Sequence, residues 1–204
     1  MKNILLVAAT ALALTTTTSF AESGAENFDN NVASVTANVG RYSLSVKGTE
    51  DNGFTQFGVN ANVLAYGMSD NLSSALDVYG TWYRSNEQIG LGADYIVTYA
   101  VNDLSVYGVA NIEYVADERD FSAGDFFTAP TLGASYQMTD KVGAYTEVSY
   151  AWNVSDDFSE VGGEVELGAN IALADNITLN PALVRTFDTA EDTTQLHVGL
   201  AFNF

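Results

Sequence analysis

Gln195-Leu196-His197-Val198-Gly199-Leu200-Ala201-Phe202-Asn203-Phe204 ends the chain, and its side chains alternate in character. Leu196, Val198, Leu200, Phe202 and Phe204 are large and apolar, whereas Gln195, His197, Gly199, Ala201 and Asn203 are polar or small. A period of two is that of a β-strand with one apolar face and one face that tolerates water. Such a strand suits the wall of a membrane barrel and also the last strand of a soluble sandwich, and the remaining sequence has to separate the two.

At the other end, Met1-Lys2-Asn3 is a short basic region, Ile4 to Leu14 an apolar run, and Ser19-Phe20-Ala21 a small-x-small cleavage site. Residues 1–21 are predicted to be a signal peptide, with 22–34 an N-terminal periplasmic segment. No apolar run approaches the length of about 20 residues that a spanning helix needs, so any passage through a membrane is by strands. Removing Lys2 takes the formal charge from −19 to about −20. With 26 acidic against 7 basic residues, nucleic acid is not an expected partner, because a phosphate backbone is bound by clustered cations. The chain has no cysteine, so in an exported protein stability has to come from something other than disulfides, such as a closed hydrogen-bonded barrel.

The deciding feature is a repeat. Tyr66-Gly-Met68-Ser-Asp70-Asn-Leu72, Tyr99-Ala-Val101-Asn-Asp103-Leu104, Tyr136-Gln-Met138-Thr-Asp140-Lys-Val142 and Ile171-Ala-Leu173-Ala-Asp175-Asn-Ile177 each read as a strand end, a tight Asp turn and a strand start. The Asp positions recur at intervals of 33, 37 and 35 residues, room for two strands and a loop. Ten residues beyond each strand start stands an aromatic: Leu72 to Trp82, Leu104 to Tyr114, Val142 to Trp152 and Ile177 to Phe187. Ten is even, so each aromatic shares a face with the apolar residue at its turn. Ten steps make about 33 Å of strand, and a tilt near 40° reduces this to about 25 Å of height, the thickness of the apolar band on an outer-membrane barrel. Trp82, Tyr114, Trp152 and Phe187 then form the outer lipid-interface ring, and Tyr66, Tyr99, Tyr136 and Phe204 the inner one.

The spacing predicts an all-β, transmembrane, antiparallel up-and-down barrel over residues 35–204. Ten strands are expected (about 35–47, 54–67, 72–83, 89–100, 104–116, 128–138, 142–153, 161–173, 177–187 and 194–204), with eight as the alternative. An even count puts both ends of the chain on the periplasmic side, and the stretch 117–127 reads as an outer loop. Changes of apolar parity predict β-bulges near Gly40 and Asn62, and Pro181 predicts a third.

With the signal peptide and the Phe-ended strand, this architecture resembles the small Gram-negative outer-membrane β-barrels, the porin-like group that includes the OmpA and OmpX barrels. The resemblance spans the whole mature length but carries no subfamily motif. It implies an outer-membrane location, lipid and lipopolysaccharide as surroundings, and the barrel-assembly machinery as a partner reading the strand that ends at Phe204. Fold does not settle function, since such families include pores, anchors, adhesins and a few enzymes.

An enzyme is not expected. The single histidine, His197, has Gln195 and Gly199 beside it on its face, with neither nucleophile nor carboxylate. No clustered metal-ligand spacing or cofactor motif is present. By parity the inward face carries Asp77, Asp94, Glu113, Glu147, Glu164 and Glu166, with Arg41, Lys47 and His197 as possible partners. Carboxylates exceed cations, so either water fills the interior or several acids are protonated or bridged by ions. Asp77 is expected directly across from Asp94, which would give a ring of negative charge of the kind that selects cations. A narrow cation-favouring path and a plugged structural or surface barrel both remain open. The acidic outer loops are expected to gather Ca²⁺ or Mg²⁺ weakly, without a dedicated metal site.

Overall fold

The computed structural model describes residues 31–49, 53–189 and 192–204. The predicted signal peptide, most of the predicted N-terminal segment, and Glu50, Asp51 and Glu191 lie outside the described residues. The described chain forms twelve strands: β1 Val32–Val39, β2 Tyr42–Thr49, β3 Gly53–Gly67, β4 Leu72–Tyr83, β5 Gln88–Val101, β6 Leu104–Asp117, β7 Asp120–Thr128, β8 Thr131–Thr139, β9 Val142–Asn153, β10 Ser159–Ala174, β11 Ile177–Phe187 and β12 Thr194–Asn203. Consecutive strands pair except β7 and β8, which both pair with β6 and β9, and β12 closes on β1, so the sheet has no free edge.

The burial pattern is inside-out. Large apolar side chains such as Leu132, Leu167, Leu183 and Ile112 are exposed, while Asp77, Asp94, Glu113, Glu147 and Glu166 are buried. The period-two alternation therefore points its apolar half outward all the way round, opposite to what a water-soluble barrel requires.

Twelve strands fill eleven positions in the wall, and the predicted ten is corrected to that number. β7 and β8 occupy one position, since Glu113 faces Phe127 and Val109 faces Thr131 in one continuous register, and both strands pair with β9. The gap between them is Ala129–Pro130. Proline has no N–H to give the ladder, and the Thr128 hydroxyl donates instead to the Asn111 carbonyl at 2.6 Å. The stretch 117–127, expected as loop, thus contains most of β7, whose first part pairs with β6 and which meets β9 only at Phe127 and Thr128.

The additional position comes from the predicted first strand, 35–47, which is a hairpin of two. Gly40, at φ +61°, and Arg41 make a two-residue turn, and Val39 pairs with Tyr42. A bulge and a two-residue turn shift apolar parity in the same way, so the parity change there had two solutions; the positive φ of Gly40 belongs to the turn. Eleven is odd, so one neighbouring pair has to run parallel. That pair is β1 and β12, with Val32 opposite His197 and Asn38 opposite Asn203. β1 accordingly starts partway up β12 and runs down beside it, rather than rising from the lower end as an even count would require.

The bulge expected near Asn62 is present between Asn62 and Leu64. The one expected at Pro181 is not: the β11–β12 register is unbroken there, and the nearby irregularity falls between Ala172 and Ala174. The four Asp turns lie at one end of the barrel, called lower below. Their carbonyls tie each turn to the strand beyond it, through Ala100 N–H to Asn71, Gln137 N–H to Asp103 and Ala172 N–H to Lys141, all at 2.8 Å. At the parallel seam, Phe204 N–H donates to the Asn38 carbonyl at 2.9 Å and the Asn38 side-chain amide donates to Asn203 Oδ1 at 2.9 Å.

Candidate functional site

The interior is divided. Its β4–β10 side is filled with tyrosines and carboxylates, and its β1–β3 side is lined by small polar groups. On the filled side, Asp77 is directly opposite Asp94 as the sequence predicts, and Glu147 is directly opposite Glu166 on β9 and β10. At a cross-strand separation of about 5 Å, two carboxylates repel by roughly 3 kcal/mol at the effective dielectric of a protein interior.

Neutral donors hold these acids. Asn62 donates to Asp77 Oδ1 and Asn111 to Asp94 Oδ1, each at 2.6 Å. The Tyr83 hydroxyl donates to Glu113 at 2.8 Å, Tyr145 to Glu166 at 2.5 Å, and Tyr107 to Glu147. The second amide hydrogen of Asn111 reaches the Tyr79 hydroxyl at 2.7 Å. Three of these tyrosines lie over a glycine directly across the ladder: Tyr79 over Gly92, Tyr107 over Gly133 and Tyr145 over Gly168. Only a residue without Cβ leaves room for a ring flat against the wall. Higher up, Tyr83, Val115, Phe127 and Val161 pack into an apolar cluster, and Tyr107, Tyr145, Ala182 and Val109 form another below it.

On the opposite side a cavity is lined by Ser34, Thr36, Ser43, Ser45, Lys47, Gln56, Asn60 and Thr81. Lys47 acts electrostatically on Glu164, Glu166 and His197. Arg41, expected among the interior cations, is instead exposed in the β1–β2 turn, where its carbonyl accepts the Asn62 N–H at 2.8 Å. His197 faces inward, half-buried, with Nε2 3.2 Å from Gln195 Oε1. Glu164 also faces inward, opposite Ser149.

The eight aromatics read from the ten-residue spacing lie on the outside wall. Tyr66, Tyr99, Tyr136 and Phe204 are exposed near the lower end. Each upper one sits in a cluster. Trp82 stacks near Phe54 at 6.0 Å and donates its indole N–H to Glu118 at 3.0 Å. Tyr114 packs between Phe121 and Phe126 at 5.2 and 4.9 Å. Trp152 meets Tyr150 at 4.8 Å, which meets Phe187 at 6.0 Å. Two of the upper loop acids are paired, Glu87 with Arg119 at 2.5 Å and Asp192 with Arg185 at 3.6 Å.

The inward tyrosines and the two asparagines did not stand out in the sequence as partners of the acids, although they share the acids' parity. The signal was available in the register, since Asn62, Asp77, Asp94 and Asn111 form one row across four strands.

No family model matches the chain, and no curated protein matches it in sequence. A solved structure of the NanC porin, in a rhombohedral crystal form, aligns with a TM-score of 0.63 over 84% of this chain and 91% of that one, at 12% identity. That likeness is one of fold, and with the closure of β12 on β1 it makes this chain a closed β-barrel similar in fold to that porin.

Proposed function

We propose that the chain is an outer-membrane porin-like barrel that passes small solutes along a narrow, cation-favouring water path beside β1–β3. The observation that carries this reading is the charge imbalance of the interior: six inward carboxylates face one inward lysine, Lys47, among the described residues. Their summed field reaches the hydroxyl-lined cavity through low-dielectric packing and raises the local concentration of cations. In planar bilayers the purified protein is expected to conduct, with a reversal potential favouring K⁺ over Cl⁻. Changing Asp77 and Asp94 to Asn, and then Glu147 and Glu166 to Gln, should lower that preference stepwise, whereas Lys47→Gln should raise it. Folded protein that stays silent at every pH tried would overturn the path.

The second reading is a non-conducting structural or surface barrel. The Tyr83–Val115–Phe127–Val161 and Tyr107–Tyr145 clusters favour it, since they fill much of the lumen with side chains. An enzyme is the less favoured reading, since the His197 ring engages Gln195 Oε1 at 3.2 Å. In either barrel reading the two aromatic rings sit at the lipid interfaces, with lipopolysaccharide around the upper one. Brominated-lipid quenching of Trp82 and Trp152 should be strong near the headgroups and weak at the midplane. Two unquenched tryptophans would remove the membrane placement.

A further inference from the structure

We infer that the Asp77–Asp94 pair in the wall between β4 and β5 is a binding site for a single small monovalent metal cation, Na⁺ or K⁺. The inference goes beyond the proposed path and stands whether or not the barrel conducts.

Asp77 is 0% exposed and Asp94 6%, and they are directly opposed on adjacent strands. Asn62 grips Asp77 Oδ1 from the β3 side, and Asn111 grips Asp94 Oδ1 from the β6 side. Each carboxylate is thus fixed on its outer flank by an amide that is itself held in the wall. Asn62 is buried at the β3 bulge, where its amide also reaches the Leu64 carbonyl at 3.4 Å, and Asn111 is tied to Tyr79. Neither amide engages the second oxygen of its acid. Asp77 Oδ2 is fully buried and has no hydrogen-bond partner among the described residues.

A buried carboxylate oxygen normally has a partner, and each exception calls for an explanation such as an ion. Here the exception sits beside a second carboxylate, in a row of Asn62, Asp77, Asp94 and Asn111 that holds no cationic side chain. Lys47, the inward lysine among the described residues, acts on Glu164, Glu166 and His197, and the charge that acts on Asp94 is that of Asp77. Glu113, one row above, is engaged by Tyr83 and adds negative charge rather than removing it. The Glu147–Glu166 pair forms the contrast: it has the same cross-strand geometry, but a tyrosine hydroxyl serves each acid and Lys47 acts on Glu166.

The charge of the ion follows from its surroundings. No group of three or more His, Cys, Asp or Glu residues among the described residues is arranged to hold a metal ion. A divalent ion gives up its water shell reluctantly and an alkali-metal ion far more readily, and this row, with Asp77 fully buried and strands about 5 Å apart, leaves little room for bound water. Asn62 and Asn111 are neutral and stabilise the carboxylates without cancelling their charge, so one monovalent cation halves the charge of the pair and the amides hold what remains.

The test is thermal unfolding of the refolded protein in detergent at fixed pH and fixed ionic strength, with the chloride salts of Na⁺, K⁺ and tetramethylammonium compared. Tetramethylammonium screens equally but is too large for the site. Wild type is expected to melt several degrees higher in Na⁺ or K⁺, rising with the logarithm of its concentration, and Asp77→Asn with Asp94→Asn should abolish the difference while the barrel still folds. Asp77→Asn alone is the second variant, should the double one fail to fold, and it should shrink the difference. Equal melting in all three salts overturns the site, as does a difference that survives in the double variant. Melting that rises as pH falls, with no alkali-metal dependence, also overturns it, because the pair would then hold a proton. Bilayer conductance is a separate readout: a silent protein that still responds to Na⁺ retains the site and loses the path.

Discussion

Arginine in place of Leu183 is expected to destabilise the barrel in lipid by about 2–4 kcal/mol, the cost of a cation at the bilayer midplane on the lipid face of a barrel. Leu183 lies midway along β11, is 50% exposed, and pairs with Leu167 on β10 and Leu196 on β12, so three outward leucines stand side by side. Arginine in place of Leu104, at the lower start of β6, should cost only about 0–1 kcal/mol, because the charge then reaches the headgroups. The depth dependence is the discriminating part. In a water-soluble barrel both leucines are half-exposed surface residues, and either change stays within about 0.5 kcal/mol. Urea unfolding from lipid vesicles measures both variants, and two equal, small losses would end the membrane reading.

The same wall shows what was legible from sequence. The Asp turns at Asp70, Asp103, Asp140 and Asp175 and the strands they join were readable because turn chemistry and period-two patterning are local signals. The placement of Asp77 across from Asp94 followed from a single turn at Tyr83–Gln88, since one turn fixes a whole register. The strand number was not readable. Val39-Gly40-Arg41-Tyr42 shifts apolar parity whether the strand bulges or the chain reverses, and only its pairing with β12 on one side and β3 on the other distinguishes them. β7 was missed for a different reason: Asp120, Ser122 and Asp125 make 117–127 polar enough for a loop, and most of the strand pairs with β6 alone. Of the interior, the acids were visible and their partners were not. Inward tyrosines read as ordinary barrel aromatics until the cross-strand register sets each beside a glycine and within reach of a carboxylate.

That tyrosine–glycine arrangement carries the other large effect. Valine in place of Gly168 is expected to cost several kcal/mol, because its Cβ would fall within the ring of Tyr145. Overpacking of a filled interior costs about 1–3 kcal/mol. Pushing the ring away also pulls its hydroxyl from Glu166, and a buried carboxylate that loses a donor costs about 1–3 kcal/mol more. Tyr145→Phe should show the second cost without the first. Tyr145→Ala combined with Gly168→Val should be less harmful than the two single losses added together, since with the ring gone the valine has space. Gly108→Val is the control: it faces outward on β6, where its Cβ meets Leu132 at an ordinary 3.6 Å, and a β-branched residue on a strand there should be close to neutral. The same clash is expected at Gly133 under Tyr107 and at Gly92 under Tyr79, so three positions on three strands should respond alike. If Gly168→Val unfolds at the same urea concentration as Gly108→Val, the tyrosine is not held against the wall, and the filled half of the lumen is looser than its register implies.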